Sequence, residues 1–262
     1  GGNHTVATKT DGTLWAWGYN AAGQLGDGTT ANKSSPVQVG TASEWASIAA
    51  GGNHTVATKT DGTLWAWGYN AAGQLGDGTT VNKCSPVQVG TASVWASIAA
   101  GFSHTVARKT DGTLWAWGGN SYGQLGDGTT AQKYAPVQVG TASDWASIAA
   151  GGSHTVARKT DGTLWAWGYN ATGQLGDGTA ANRSSPVQVG TASDWASIAA
   201  GGNHTVATKT DGTLWAWGYN AAGQLGDGTT ANKSSPVQVG TASEWASIAA
   251  GGNHTVATKT DG

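Results

Sequence analysis

Six histidines, His4, His54, His104, His154, His204 and His254, recur at intervals of 50 residues. Imidazole is a ready metal ligand and acid–base group. One ring per interval, with no second His or spaced Cys beside it, instead predicts a structural residue that follows a glycine pair and hydrogen-bonds a neighbouring backbone group. The carboxylates Asp11, Asp27 and Glu44, with their repeats, fall in a turn, a glycine loop and an inter-repeat segment. Asp77 in Gly76-Asp77-Gly78 lacks the closely spaced oxygen ligands of a calcium loop. There is no phosphate-binding glycine loop followed by Lys-Ser/Thr and no Gly-x-Ser-x-Gly elbow. The expectation is a protein without catalytic residues, metal or cofactor, and so not an enzyme. Fifteen tryptophans stand against one Phe and no Met. Trp15, Trp17, Trp45, Trp65, Trp67 and Trp95 would be either exposed platforms for flat ligands or the core itself, and the alternation of large and small residues favours the core.

The elements that position these residues follow from repetition. A 50-residue unit is written five times without insertion or deletion, followed by 12 residues of a sixth, and residues 201–262 match residues 1–62 letter for letter. With 11% charged residues and a net charge of −2, the chain is neither a basic nucleic-acid binder nor a charge-extended tail. Cys84 is the single cysteine, so no internal disulfide forms. No apolar run approaches the roughly 20 residues of a spanning helix, so no membrane insertion is expected. The chain opens at Gly1-Gly2-Asn3 without Met or a signal peptide, as a processed or excerpted chain would.

Within one unit, Thr55–Thr60 and Thr63–Trp67 are β-rich segments joined by Asp61-Gly62, the signal of a two-residue type I′ hairpin. That turn pairs Lys59 with Leu64, Thr58 with Trp65, Ala57 with Ala66 and Val56 with Trp67. One face then carries Val56, Thr58, Trp65 and Trp67, and the other carries Ala57, Leu64 and Ala66. Trp45–Ala50 reads as a further strand, and Pro86–Gly90 as a fourth on an outer edge, where proline is tolerated. The segment from Gly68 to Thr79 is too glycine-rich for a helix and reads as an excursion loop. Four short antiparallel strands per unit predict the blade of a β-propeller, with the bulky face of one blade nested on the small face of the next.

The elements His54-Thr55-Val56-Ala57, Asp61-Gly62-Thr63-Leu64-Trp65-Ala66-Trp67-Gly68-Tyr69-Asn70, Gly73-Gln74-Leu75-Gly76-Asp77-Gly78 and Pro86-Val87 together resemble the repeat of the regulator of chromosome condensation family. The resemblance covers the whole chain and implies an all-β propeller, seven-bladed in most members. Chain arithmetic gives five blades of about 50 residues, so residues 1–262 are expected as a single domain. It would be a five-bladed ring, a piece of a longer ring or a ring completed by a second chain. Trp245–Ala250 is expected to zip onto the N-terminal blade. One copy of the strand shared by residues 1–12 and 251–262 would then be displaced, frayed or paired with another molecule. The family's photoreceptor branch carries Gly-Trp-Arg-His-Thr where this chain has Gly51-Gly52-Asn53-His54-Thr55, and nucleotide exchange in the family rests on features outside the plain repeat. The resemblance therefore implies neither activity here.

The repeats differ mainly at positions such as Phe102, Ser103, Arg108, Gly119, Ser121, Tyr122, Gln132, Tyr134 and Ala135, chiefly in loops and strand ends. A non-enzymatic scaffold presenting its loops to a protein partner, secreted or at a bacterial surface, is the leading expectation. Its contact residues would be Tyr19, Asn20, Tyr69, Asn70, Asn120, Tyr122, Tyr134, Tyr169 and Asn170. The alternatives are a multivalent lectin with one glycan site per blade around Tyr69-Asn70, and a symmetric assembly or engineered repeat module without any ligand, self-associating through the open seam. Arg108 and Arg158 are expected to face Trp115 and Trp165 as cation–π pairs. Asn3-His4-Thr5, Asn32-Lys33-Ser34 and Asn170-Ala171-Thr172 match the glycosylation pattern, as chance alone produces in so Asn- and Thr-rich a repeat.

Overall fold

The computed structural model describes residues 1–260; Asp261 and Gly262, the end of the partial sixth repeat, lie outside the described residues. Every regular element among the described residues is a β-strand. The second repeat shows the plan: β4 (Trp45–Ala50), β5 (His54–Lys59), β6 (Leu64–Gly68) and β7 (Lys83–Gln88) form an antiparallel sheet in the order β4-β5-β6-β7. The same sheet recurs as β8 (Trp95–Ala100) to β11 (Lys133–Gln138), β12 (Trp145–Ala150) to β15 (Arg183–Gln188), and β16 (Trp195–Ala200) to β19 (Lys233–Gln238). At the N-terminal end β1 (His4–Thr8), β2 (Leu14–Gly18) and β3 (Lys33–Gln38) form a three-stranded sheet, and at the C-terminal end β20 (Trp245–Ala250) pairs with β21 (Thr255–Lys259). Both copies of the shared strand are thus paired, β1 with β2 and β21 with β20, in separate sheets. These are the four-stranded antiparallel blades of the β-propeller class.

The hairpin register differs from expectation by one residue. Thr58 faces Leu64, Ala57 faces Trp65, Val56 faces Ala66 and Thr55 faces Trp67. A type I′ turn needs two left-handed residues, but in this turn only Gly62 adopts positive φ, at 79°, and among the described residues no non-glycine residue does. Asp61 instead accepts hydrogen bonds at Oδ1 from the Thr63 N–H (2.9 Å) and the Thr63 hydroxyl (2.7 Å). The Gly62 N–H donates to the Lys59 carbonyl and the Lys59 N–H to that of Thr63, both at 3.0 Å. The loop is therefore the three-residue form, a type I turn closed by a left-handed glycine. Val56 and Thr58 consequently join Leu64 and Ala66 on one face, leaving Ala57, Thr55, Trp65 and Trp67 on the other. The outer strand also starts three residues earlier than expected. Pro86 is accommodated between Lys83 and Val87, where the register on β6 shifts between Ala66 and Gly68.

The chain packs as two compact units, residues 1–120 with 131–143, and residues 121–130 with 144–262. In each, the Val/Leu/Ala face of one sheet receives the tryptophan face of the next. In the first unit Val56, Leu64, Ala66, Leu75 and Val89 pack on Trp95, Ala107 and Trp117. In the second, Val156, Leu164, Ala166, Leu175 and Val189 pack on Trp195, Ala207 and Trp217. The nesting of large on small is as expected in kind, with the membership altered by the register.

Candidate interaction surface

The excursion loop after β6 is organised from inside. Asn70 Nδ2 donates to Asp77 Oδ1 (3.1 Å) and to the carbonyls of Thr79 (3.0 Å) and Val81 (3.2 Å), and Asn70 Oδ1 accepts from the Leu75 N–H (3.0 Å). Burial works against the Asp77 carboxylate, but hydrogen bonds from Thr79 and Asn70, with Lys83 nearby, outweigh it and hold its pKa below the usual value. Asn20, Asn70, Asn120 and Asn170 are all fully buried. They shape the loops from within, and at 0% exposure they offer no side-chain surface for the contact role expected of them or for glycosylation at Asn170.

Gly-Gln-Leu-Gly then carries the loop onto the following repeat. A Cβ on Gly26 would lie 2.6 Å from Trp67 Nε1, and one on Gly76 equally close to Trp117 Nε1. That approach lets the Trp67 indole N–H donate to the Gln24 carbonyl (3.1 Å), which also accepts from the Thr55 hydroxyl (2.8 Å). The histidines complete this contact. His54 Nε2 meets Thr105 Oγ1 at 3.0 Å, and His204 meets Thr255 at 3.1 Å, each across a repeat boundary. Because the threonine hydroxyl hydrogen is committed to a Gln carbonyl (2.8 Å), Nε2 must be the protonated, donating nitrogen. The ring's partner is therefore a side chain of the next repeat, not the neighbouring backbone expected from sequence. Burial, reinforced by the charges of His104 and then His4, pushes the His54 pKa down to about 3. Among the described residues no three His, Cys, Asp or Glu side chains gather into a metal-binding group.

The tryptophans divide by depth. Trp45, Trp67 and Trp95 are buried, whereas Trp15, Trp17 and Trp65 are half-buried. Trp45 meets Trp65 and Trp67 edge-on at 6.2 and 5.8 Å. The cation over Trp115 is Lys109, 3.7 Å from the ring centroid, not Arg108. The one-residue register change sets Arg108 opposite Leu114 and Arg158 opposite Leu164.

The large apolar side chains that remain outward include several aromatics beside Val81 and Val94. In the first unit Tyr19, Tyr69 and Tyr134 are 44%, 41% and 45% exposed, and Phe102 is 61% exposed. Phe102 occupies a position that is glycine in the other repeats, with its ring against Gly52, and Gly119 stands where the others carry tyrosine. In the second unit Tyr122, 42% exposed, packs on Tyr169 with ring centroids 4.7 Å apart. Phe102 was not singled out as a contact residue from sequence, although its place in a glycine column was a usable signal. A family profile described as RCC1-like domain matches residues 1–257. The chain belongs to the RCC1-like family. Human WBSCR16 is similar to this RCC1-like chain over 98% of its residues and 70% of WBSCR16, at 24% identity and a TM-score of 0.87. Prp20p of Saccharomyces cerevisiae, whose structure was described with its binding to Gsp1p and histones, is 25% identical with a TM-score of 0.84, covering 98% of this chain and 66% of Prp20p. The ultraviolet-B receptor UVR8 of Arabidopsis thaliana is 49% identical over 39 residues, which is 15% of this chain and 9% of the receptor. The chain thus spans only a small part of that curated relative.

Proposed function

We propose that this RCC1-like chain is a non-enzymatic scaffold that holds a protein partner on its loop surface. The anchors are Tyr69, Phe102 and Tyr134 in one unit and the Tyr122–Tyr169 pair in the other. The observation that carries this reading is the contrast between buried positions, which are nearly the same in every repeat, and the third repeat's exposed side chains, where Phe102, Tyr122 and Tyr134 are unique. Exposed aromatics supply large contact area at low entropy cost and dominate protein interfaces. The binding of Prp20p to Gsp1p and histones supports the same use of this fold. The test is cross-linking and co-purification with the intact chain, followed by affinity measurement on any protein recovered. Phe102→Ala and Tyr122→Ala should each weaken binding by roughly 10-fold, the effect of losing an anchor worth more than about 1 kcal/mol. A glycan array that lights up, with no protein recovered and with binding abolished by the same substitutions, would replace the scaffold with a lectin.

A further inference from the structure

The geometry points to the buried histidines as acid-sensitive locks between successive repeats, a device independent of what the loop surface binds. Each lock spans a boundary: the ring belongs to one repeat and the accepting threonine to the next, as in His4–Thr55, His54–Thr105, His154–Thr205 and His204–Thr255. The threonine hydroxyl is itself held by the carbonyl of Gln24, Gln74, Gln174 or Gln224. With Nε2–H donating, Nδ1 is a bare lone pair, and in His4, His54 and His204 it is buried with no hydrogen-bond partner. The ring lies so close to its glycine pair that a Cβ on Gly51 would be 2.5 Å from His54 Nδ1.

Protonation at Nδ1 would therefore create a buried cation with no acceptor, which a fold avoids by opening. The charges bearing on these rings are all positive: His104 and His4 on His54, His254 on His204, and the terminal ammonium on His4. Only a backbone hydrogen bond of His254 works the other way, on His204. The folded-state pKa lies at about 3 to 4, below the ordinary value near 6.5. Stability is complete above about pH 6.5 and falls as pH drops toward the folded value. The carboxylates, whose pKa values are also lowered, begin to weaken the fold only near their ordinary pKa of about 3.9. Burial also holds the Gly1 ammonium below its ordinary value of 8.0, so the part of the loss between pH 6.5 and 5 that the histidine variant removes is the part that belongs to the histidines.

The test is the thermal midpoint of the full chain, followed by tryptophan emission at pH 7.5, 6.5, 5.5 and 5.0. Wild type should lose midpoint temperature steadily below pH 6.5. A His54→Gln/His154→Gln/His204→Gln chain, whose amide N–H still reaches threonine but does not titrate, should lose less than half as much. His254→Gln, altering an exposed ring whose charge bears on His204 alone, should keep most of the wild-type loss. The proposal is overturned if the triple variant shows the full drop. Should that variant not fold, imidazole nitrogen NMR of the wild-type chain decides. Neutral Nε2–H rings in the folded protein at pH 5 support the lock, and rings that charge near pH 6.5 while the fold persists exclude it.

Discussion

Asn70 joins four points of its loop through one amide, and its full burial makes each of those hydrogen bonds expensive to lose. Asn70→Ala would leave the Leu75 N–H and the Thr79 and Val81 carbonyls without their partner. At about 1–3 kcal/mol for a buried group left unsatisfied, a loss of about 3 kcal/mol or more is expected in urea denaturation. Asn70→Asp should be worse, because a second carboxylate would face Asp77 where an amide donor stood. If either substitution instead leaves stability unchanged and weakens only partner binding, Asn70 is a contact residue after all. Polar type and loop position suggest exposure, but a loop with little apolar material must supply its own interior, and Asn can donate and accept at once. Tyr69 beside it, with its N–H on the Asn53 carbonyl at 2.8 Å, is indeed outward.

At the scale of the element, the glycines of Gly76-Asp77-Gly78 have different duties although both are left-handed, with φ of 73° and 80°. Gly76 abuts the Trp117 indole, while nothing lies within 4 Å of a Cβ placed on Gly78. Gly78→Ala should therefore cost only the backbone strain, about 1–2 kcal/mol. Gly76→Ala adds displacement of the indole from the Gln74 carbonyl, 3.0 Å away, and should cost at least about 1 kcal/mol more. Equal losses for the two, compared by urea titration, would show that this loop does not fix the tryptophan. Strand order within the repeat was legible because β-rich runs and glycine breaks alternate so cleanly. The register was not, since Asp-Gly suits both the two-residue and the three-residue hairpin. Only the preference of Asp61 for capping Thr63 separates them, and from that one choice follow the face of Val56 and the cation over Trp115. The His54–Thr105 contact was equally hidden, since its partners lie 51 residues apart and nothing local to either residue reports the other.

For the molecule as a whole, near-identical repeats mean that stability is set by neighbours rather than by composition, as in a one-dimensional array. The same residue type is enclosed differently along the chain. Val56 and Val206 are wholly buried, while Val256 on β21 is 56% exposed. Leu64 is sealed between its own sheet and Trp95, Ala107 and Trp117. Leu214 instead lines an open groove of about 360 Å³ with Leu225, Val239, Trp245 and Thr255. Deleting a sealed leucine leaves a cavity and costs about 2–5 kcal/mol, so Leu64→Ala should fall in that range. Leu214→Ala should cost distinctly less, because its surroundings already admit water. Hydrogen exchange provides the parallel readout, since local opening draws on the least enclosed elements. Amides of Thr255–Lys259 should exchange before those of the identical sequence at Thr55–Lys59. Uniform protection of the two segments, with equal losses for the two leucines, would mean that the repeats fold as one indivisible unit and that enclosure by neighbours does not govern their stability.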